Sequence, residues 1–371
     1  MLTIIVFLLI LTVLVLVHEL GHFIVAKKLG IKVEEFGFGF PPRVLSFKRG
    51  ETIYSLNLLP IGGFVKLYGE DSAGGGRPQI KDQKLNLKDV ERAFFARPIW
   101  QRALVVVAGV FMNFALAVIL ISYLFAVPGV PSVSDKVIID QIVSGTPAQT
   151  AGLKKGEIIV AINGEKVKSS QDVITKTKKH LGERVTFQVQ DPADKSLQYV
   201  IVVPRKTYPK DQGPVGIAIA QSVELRKYPW YKAPFLGTVE VAKDSVLIVS
   251  GLVNVVSEVF TKASVPAGVA GPVGIAQITG KFVESGLNAV LSFVALLSLN
   301  LAVLNILPIP ALDGGRFFFI LVEAVTRRKV HPKFEAYAHA VGIAVLLALI
   351  AVITIHDFVR LIQGQSIIPT Q

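Results

Sequence analysis

Residues 2–26 read LTIIVFLLILTVLVLVHELGHFIVA, an apolar run that ends in His18, Glu19 and His22 without leaving a helix-compatible pattern. It exceeds the roughly 20 residues needed to cross a bilayer core. A secretory signal would carry Lys or Arg ahead of the apolar stretch and a small-residue cleavage site behind it. Neither is present, so the segment is read as a retained transmembrane helix. The whole chain agrees: 51% of its 371 residues are hydrophobic and 18% charged, against about 25% charged in ordinary soluble domains. With mean hydropathy at +0.55, a multi-pass membrane protein is expected. A soluble enzyme, a disordered chain and a nucleic-acid binder are excluded.

Three further spans are expected, at about Trp100 to Val127, Asn288 to Leu307 and Ala336 to Phe358. Lys and Arg crowd the segment from Lys27 to Arg102 and the one holding Arg316, Arg327, Arg328, Lys329 and Lys333. The positive-inside rule then puts both segments in the cytoplasm, with both termini and the long region from Pro128 to Leu287 outside. The net charge of +12 is thus a topology label.

Within the long region, short β-rich runs (Val137 to Ile142, Glu157 to Ile162, Val185 to Val189, Tyr199 to Val203) alternate with turn signals such as Asn163-Gly164. The series Ile139 to Val143, Gly145-Thr146-Pro147-Ala148, Ala151-Gly152-Leu153, Gly156 to Ile159 and Ile162-Asn163-Gly164 resembles a bacterial PDZ domain, an α/β peptide-binding fold. It is assigned to 128–222. Residues 223–287, with Tyr228, Trp230, Tyr231 and Phe235 ahead of a mixed helix at 233–262, are expected to form amphipathic helices in the membrane interface; a fifth span over 233–262 is the alternative, and it would put the basic 316–333 segment outside. Residues 1–127 and 288–371 carry the two pairs of spans.

His18-Glu19-Leu20-Gly21-His22 carries the chemistry. On a helix the two His stand four residues apart on one face and can share one Zn²⁺, with Glu19 placed to take a proton from the attacking water. Ionisable groups inside a span are costly and point to function. Cysteine is absent, so any third ligand is His or a carboxylate. His18 lies about 16 residues into the span, roughly 24 Å deep and toward the cytoplasmic leaflet. Asp313 follows the inward-running third span and reaches the same depth; His331 and His339 are the runners-up. His356 and Asp357 fall at the opposite face, and His180 lies in the PDZ-like region. Asp313 is favoured because Asn305 to Gly315 breaks a helix with Pro308 and Pro310 and frees it again at Gly314 and Gly315. Non-helical backbone at membrane depth is tolerated where it is buried in protein or lines a wet cavity, and a plain loop exit at the membrane surface is the alternative.

His18 to His22, Asn305 to Gly315, the interposed PDZ-like region, Gly109 to Asn113, Gly271 to Ile275 and Pro60 to Gly63 together resemble the site-2 protease family of intramembrane zinc metalloproteases, in its bacterial RseP-like branch. The resemblance implies zinc on His18, His22 and Asp313, water activation by Glu19, and substrate holding by Asn300 and Asn305. It also implies single-span substrates such as anti-sigma factors or signal-peptide remnants, in a bacterial cytoplasmic membrane. The PDZ-like region would screen them by size or by a new C-terminus. One PDZ-like domain is found where that branch commonly carries two.

Thr52 to Leu59, a turn at Pro60 to Gly63 and Phe64 to Tyr68 read as a hairpin that dips into the membrane. It is expected to clamp the substrate, with a structural cover over the helices as the alternative. Gly37 to Phe40 is read as interfacial packing in a loop, and Tyr54, Tyr68, Lys66 and Arg97 as interface anchors. The rival from another class is a non-catalytic PDZ-containing membrane adaptor with a structural His cluster, which predicts no zinc.

Overall fold

The computed structural model describes residues 2–70, 90–209, 212–262 and 269–363. The chain divides into two compact units, one of residues 1–127 with 228–371 and one of 128–227.

The first unit is built on helices α1 (Leu2–Lys28) and α2 (Ile99–Ala126), which flank a β-region, and on α5 (Ala233–Lys262), α6 (Pro272–Glu284), α7 (Leu287–Ile306), α8 (Asp313–Thr326) and α9 (Pro332–Ile362). Helices α1, α2, α7 and α9 are long and apolar enough to cross a membrane, with mean hydropathy of 2.2 to 2.8 over their best stretches. Nearly continuous Leu, Ile and Val leave the backbone no polar partner in lipid, so each segment closes its own hydrogen bonds as helix. Lys27 and Lys28 end α1, where cations suit both the helix C-terminus and the interface. Ile10 and Leu14 of α1 pack with Phe293 of α7, and Ala117 of α2 packs with Leu299 and Val303. Beneath them, Ala26, Ile31, Val33, Leu67, Val105, Val106 and Ile320 form the cluster on which the site rests. Arg102 of α2 meets Glu323 of α8 at 2.8 Å, both nearly enclosed.

The hairpin expectation needs correcting. The strands are β1 (Val33–Arg49) and β2 (Thr52–Leu67), and the chain reverses tightly at Gly50 and Glu51. Thr52 to Leu59 and Phe64 to Tyr68 do not pair with each other. Residues 35–38 of β1 lie between them, with Phe36 opposite both Tyr54 and Val65, while Arg43 to Arg49 pair with Thr52 to Asn57. Gly37 to Phe40 therefore belongs to a central strand, not a loop. The reason is steric: a Cβ on Gly37 would lie 2.3 Å from the Phe64 ring, so only glycine lets that ring cross the strand. The proposed anchors divide too. Tyr54 stacks on Phe47 at 5.2 Å. Tyr68 is buried, however, and Arg97 donates to the Gly30 carbonyl at 2.6 Å, so these two hold the fold together.

Glu51 accepts hydrogen bonds from Lys27 at 2.9 Å and from Arg92 at 2.7 and 2.8 Å. The Arg92 guanidinium, helped by Lys27, holds the Glu51 carboxyl down at about 2, against an ordinary 4.5. A carboxylate depressed in this way adds stability that is complete above pH 4.5 and is lost as pH falls toward 2. Glu51→Gln should flatten the acid limb of thermal stability over that range. Melting curves that fall with pH as steeply as in wild type would show that the contact contributes nothing.

The second unit is an antiparallel sheet of β3 (Val130–Ile142), β4 (Ile158–Ile162), β5 (Glu165–Lys166), β6 (Val185–Gln190), β7 (Leu197–Val202) and β8 (Ile217–Arg226). Its order is β7-β6-β4-β3-β8, with β5 against β4. Helices α3 (Pro147–Ala151) and α4 (Ser170–Lys179) complete it. Val185, Phe187 and Val189 alternate inward along β6, onto Val137, Ile139, Ile159 and Ile162. Ser169 and Asp172 form a capping box at α4. Strand β8 carries little alternation of its own, because Ala218 and Ala220 dilute it; Ile219 opposite Ile139 seats it.

Candidate metal centre

Helix α1 presents His18 and His22 one turn apart, and α8 presents Asp313 as its first residue. Nε2 of His18 lies 2.9 Å from Oδ2 of Asp313, Nε2 of His22 lies 3.2 Å from the same oxygen, and the two Nε2 atoms are 3.2 Å apart. A tetrahedral Zn²⁺ with bonds near 2.05 Å holds its ligand atoms about 3.3 Å from one another. The triangle fits that ion. Among the described residues, this is the group of His and carboxylate atoms close enough to share a metal.

The surroundings orient each ligand. Nδ1 of His22 donates to the Val105 carbonyl at 2.8 Å, which leaves Nε2 as a free lone pair. The buried Asn113 amide stands 3.5 Å from Nδ1 of His18. It is the amide Nδ2 that faces this nitrogen; a flip of the amide would set its oxygen there to accept the ring N–H and free Nε2 in the same way. Ser298 donates to the Asn113 carbonyl at 2.8 Å and ties α7 to α2. Gly109 makes room for the pair, since a Cβ there would lie 2.3 Å from Nε2 of His22. Sequence reasoning gave Asn113 and Gly109 no role of their own. An asparagine deep in an apolar span was the available signal.

Glu19 lies between two cavities. One, of about 200 Å³, is lined by Glu19, His22, Phe64, Glu70, Asp313 and Arg316, with Arg316 and Glu70 in direct ion contact. The other, of about 260 Å³, is lined by His18, Glu19, Asn113, Leu301, Asn305 and Asp313. Asn305 is thus brought to the site, whereas Asn300 lines neither cavity. On the sheet, a Cβ on Gly63 would lie 3.6 Å from Cγ of Glu19.

The other candidates sit elsewhere. His339 accepts from the Ala311 N–H, and His331 caps α9. Asp357 accepts from the Gly271 and Gly274 N–H groups. His180 pairs with Glu183 in the second unit.

Two imidazoles and a carboxylate at metal-ligand separation, with a spare glutamate opening onto two cavities among apolar spans, are the equipment of a membrane-embedded metallopeptidase. Comparison with known proteins makes the class specific: Peptidase family M50 matches residues 6–349, and the chain belongs to this site-2 protease family. It is 29% identical to the regulator of sigma-W protease RasP of Bacillus subtilis, over 97% of this chain and 99% of that one. It is 31% identical to the zinc metalloprotease RasP of Geobacillus kaustophilus, over 96% and 97%. A putative zinc metalloprotease of Clostridium perfringens is 34% identical, over 93% and 95%. The protein is therefore a multi-pass inner-membrane zinc metalloprotease of regulated intramembrane proteolysis, and the adaptor reading falls.

Proposed function

We propose that this protease cuts single-span membrane proteins in or near their transmembrane segment, with His18, His22 and Asp313 holding zinc and Glu19 moving the proton. The meeting of the two cavities at Glu19 carries this reading, because it gives water and a peptide separate approaches to one carboxylate. Bound zinc supplies Lewis-acid polarisation of the scissile carbonyl and lowers the pKa of water at the site. Glu19 accepts the proton of the attacking water and returns it to the departing amine. His22, braced by Val105, keeps its ring in register throughout.

A transmembrane helix hides its carbonyls in internal hydrogen bonds, so it must unwind before attack. Residues 63–67 of β2 lie beside Glu19 and pair with β1 on one side among the described pairings. Their other edge can hold the unwound strand by β-augmentation. Asn305 offers its amide to the same segment from the opposite cavity, and Asn300 supports the substrate farther along α7. Anti-sigma factors and signal-peptide remnants are the substrate classes.

The second unit is read as the PDZ domain. Between α4 and β8 it carries a groove of about 340 Å³, lined by Val173, Ile174, Thr177, Val215, Ile217 and Ile219, of a size and polarity suited to an apolar C-terminus. The basic segments flanking the spans support a topology with both termini and this domain outside and the zinc toward the cytoplasmic side.

Zinc stoichiometry tests the ligand set. Wild type should hold one Zn²⁺ per chain and Asp313→Ala far less. Full occupancy in that variant would sink Asp313 as a ligand.

A further inference from the structure

We infer that His339 of α9 is a positioning residue for the metal site, holding the backbone turn that presents Asp313. The inference rests on Asp313 as the third ligand. Two residues before Asp313, Ala311 adopts φ +88°, a conformation that L side chains rarely take. Such a turn persists only where its surroundings over-determine it, and here α9 does so at two points. His339, 4% exposed, accepts the Ala311 N–H on Nδ1 at 3.0 Å. Three residues on, and on the same face of the helix, a Cβ on Gly342 would lie 2.2 Å from the Pro310 carbonyl oxygen, so α9 runs directly against the loop. The Phe319 ring of α8 stands 5.8 Å from the imidazole and closes its other side.

The hydrogen bond defines what the imidazole must be. An Nδ1 that accepts from backbone is unprotonated, so the ring is neutral with its proton on Nε2. That Nε2 is buried and meets no hydrogen-bond partner among the described residues, so the Ala311 N–H is the polar contact seen for this side chain there. Leucine would fill the volume but could not accept the Ala311 N–H. The turn, closed within itself by the Leu312 N–H to Ile309 carbonyl bond at 3.1 Å, would then lose the side-chain acceptor that ties it to α9, and Asp313 would no longer be held in register with His18 and His22.

The test measures metal binding on the full-length protein in detergent, using Zn²⁺ affinity by chelator competition and the visible spectrum of the Co²⁺ form. His339→Leu should weaken Zn²⁺ binding by about 10- to 100-fold, the usual effect of losing an outer-shell partner, and should change the Co²⁺ spectrum. His339→Gln, whose Oε1 can accept the same N–H, should recover most of the affinity. Gly342→Ala should weaken binding from an independent direction by pushing on Pro310. Folded His339→Leu protein with wild-type affinity and spectrum overturns the inference, as does equal loss in the Leu and Gln variants. If the Leu variant does not fold, wild-type binding in Gly342→Ala overturns it. Asp313→Ala separates the two levels. Retention of zinc there sinks the ligand reading itself, whereas loss there beside normal binding in His339→Leu sinks only the role of His339.

Discussion

Glu19→Gln should abolish cleavage of a model single-span substrate while leaving zinc content at the wild-type level. Glutamine keeps the shape and hydrogen-bonding reach of the side chain but cannot take a proton from water. General base catalysis of this kind contributes about 10²- to 10⁴-fold to rate, so turnover should fall by at least that lower figure. Metal binding should survive because Glu19 is not part of the ligand triangle of His18, His22 and Asp313. Metal analysis and a cleavage assay on the same preparation read both quantities. Undiminished metal-dependent cleavage would end the assignment of Glu19, and loss of zinc would make Glu19 a ligand instead.

A second large effect is expected from one methyl group. Gly109→Ala places a carbon 2.3 Å from Nε2 and 2.7 Å from Cε1 of His22, and 2.8 Å from Cε1 of His18. Side-chain carbons do not approach so closely, so either the rings rotate or α2 draws back from α1. If the His22 ring turns, its Nδ1 leaves the Val105 carbonyl; if α2 retreats, that carbonyl and Asn113 go with it. The first route breaks the 2.9 to 3.2 Å triangle, and the second strips the braces that orient its two histidines. Zinc affinity should fall by about 10-fold or more, with activity falling alongside it and helix content by circular dichroism unchanged. A Gly109→Ala protein that binds zinc as wild type does would show that the close packing of α1 on α2 is not what seats the ligands.

These two predictions differ in how much of their basis could be read in the chain. The pairing of His18 with His22 and the placing of Glu19 follow from helical period alone, because residues four apart share a face in any helix. Asp313 could be favoured only by its proline- and glycine-rich setting and by depth in the bilayer, and His331 and His339 stood beside it at the same depth. The structure separates them by contact: Asp313 meets both Nε2 atoms, His339 meets the Ala311 backbone, and His331 caps a helix. Gly109 is one small residue among many in an apolar span until the rings it faces are known.

The sheet shows the same boundary. Its strand-forming residues were legible from Thr52 to Tyr68, but their partners were not. Period-two alternation marks which side chains share a face and says nothing about which strand lies alongside. Phe36 facing both Tyr54 and Val65 is a pairing across the chain, made possible by the bare backbone at Gly37.

By itself, then, the sequence determined the membrane spans, the His-Glu-His constellation and the class of metal, because each depends on local length, period or donor chemistry. Only the tertiary structure decided which distant carboxylate completes the triangle, which strand edge lies beside Glu19, and which buried groups brace the ligands. Those depend on contacts between segments far apart in the chain, and close packing of that kind leaves no periodic trace in the residues that make it.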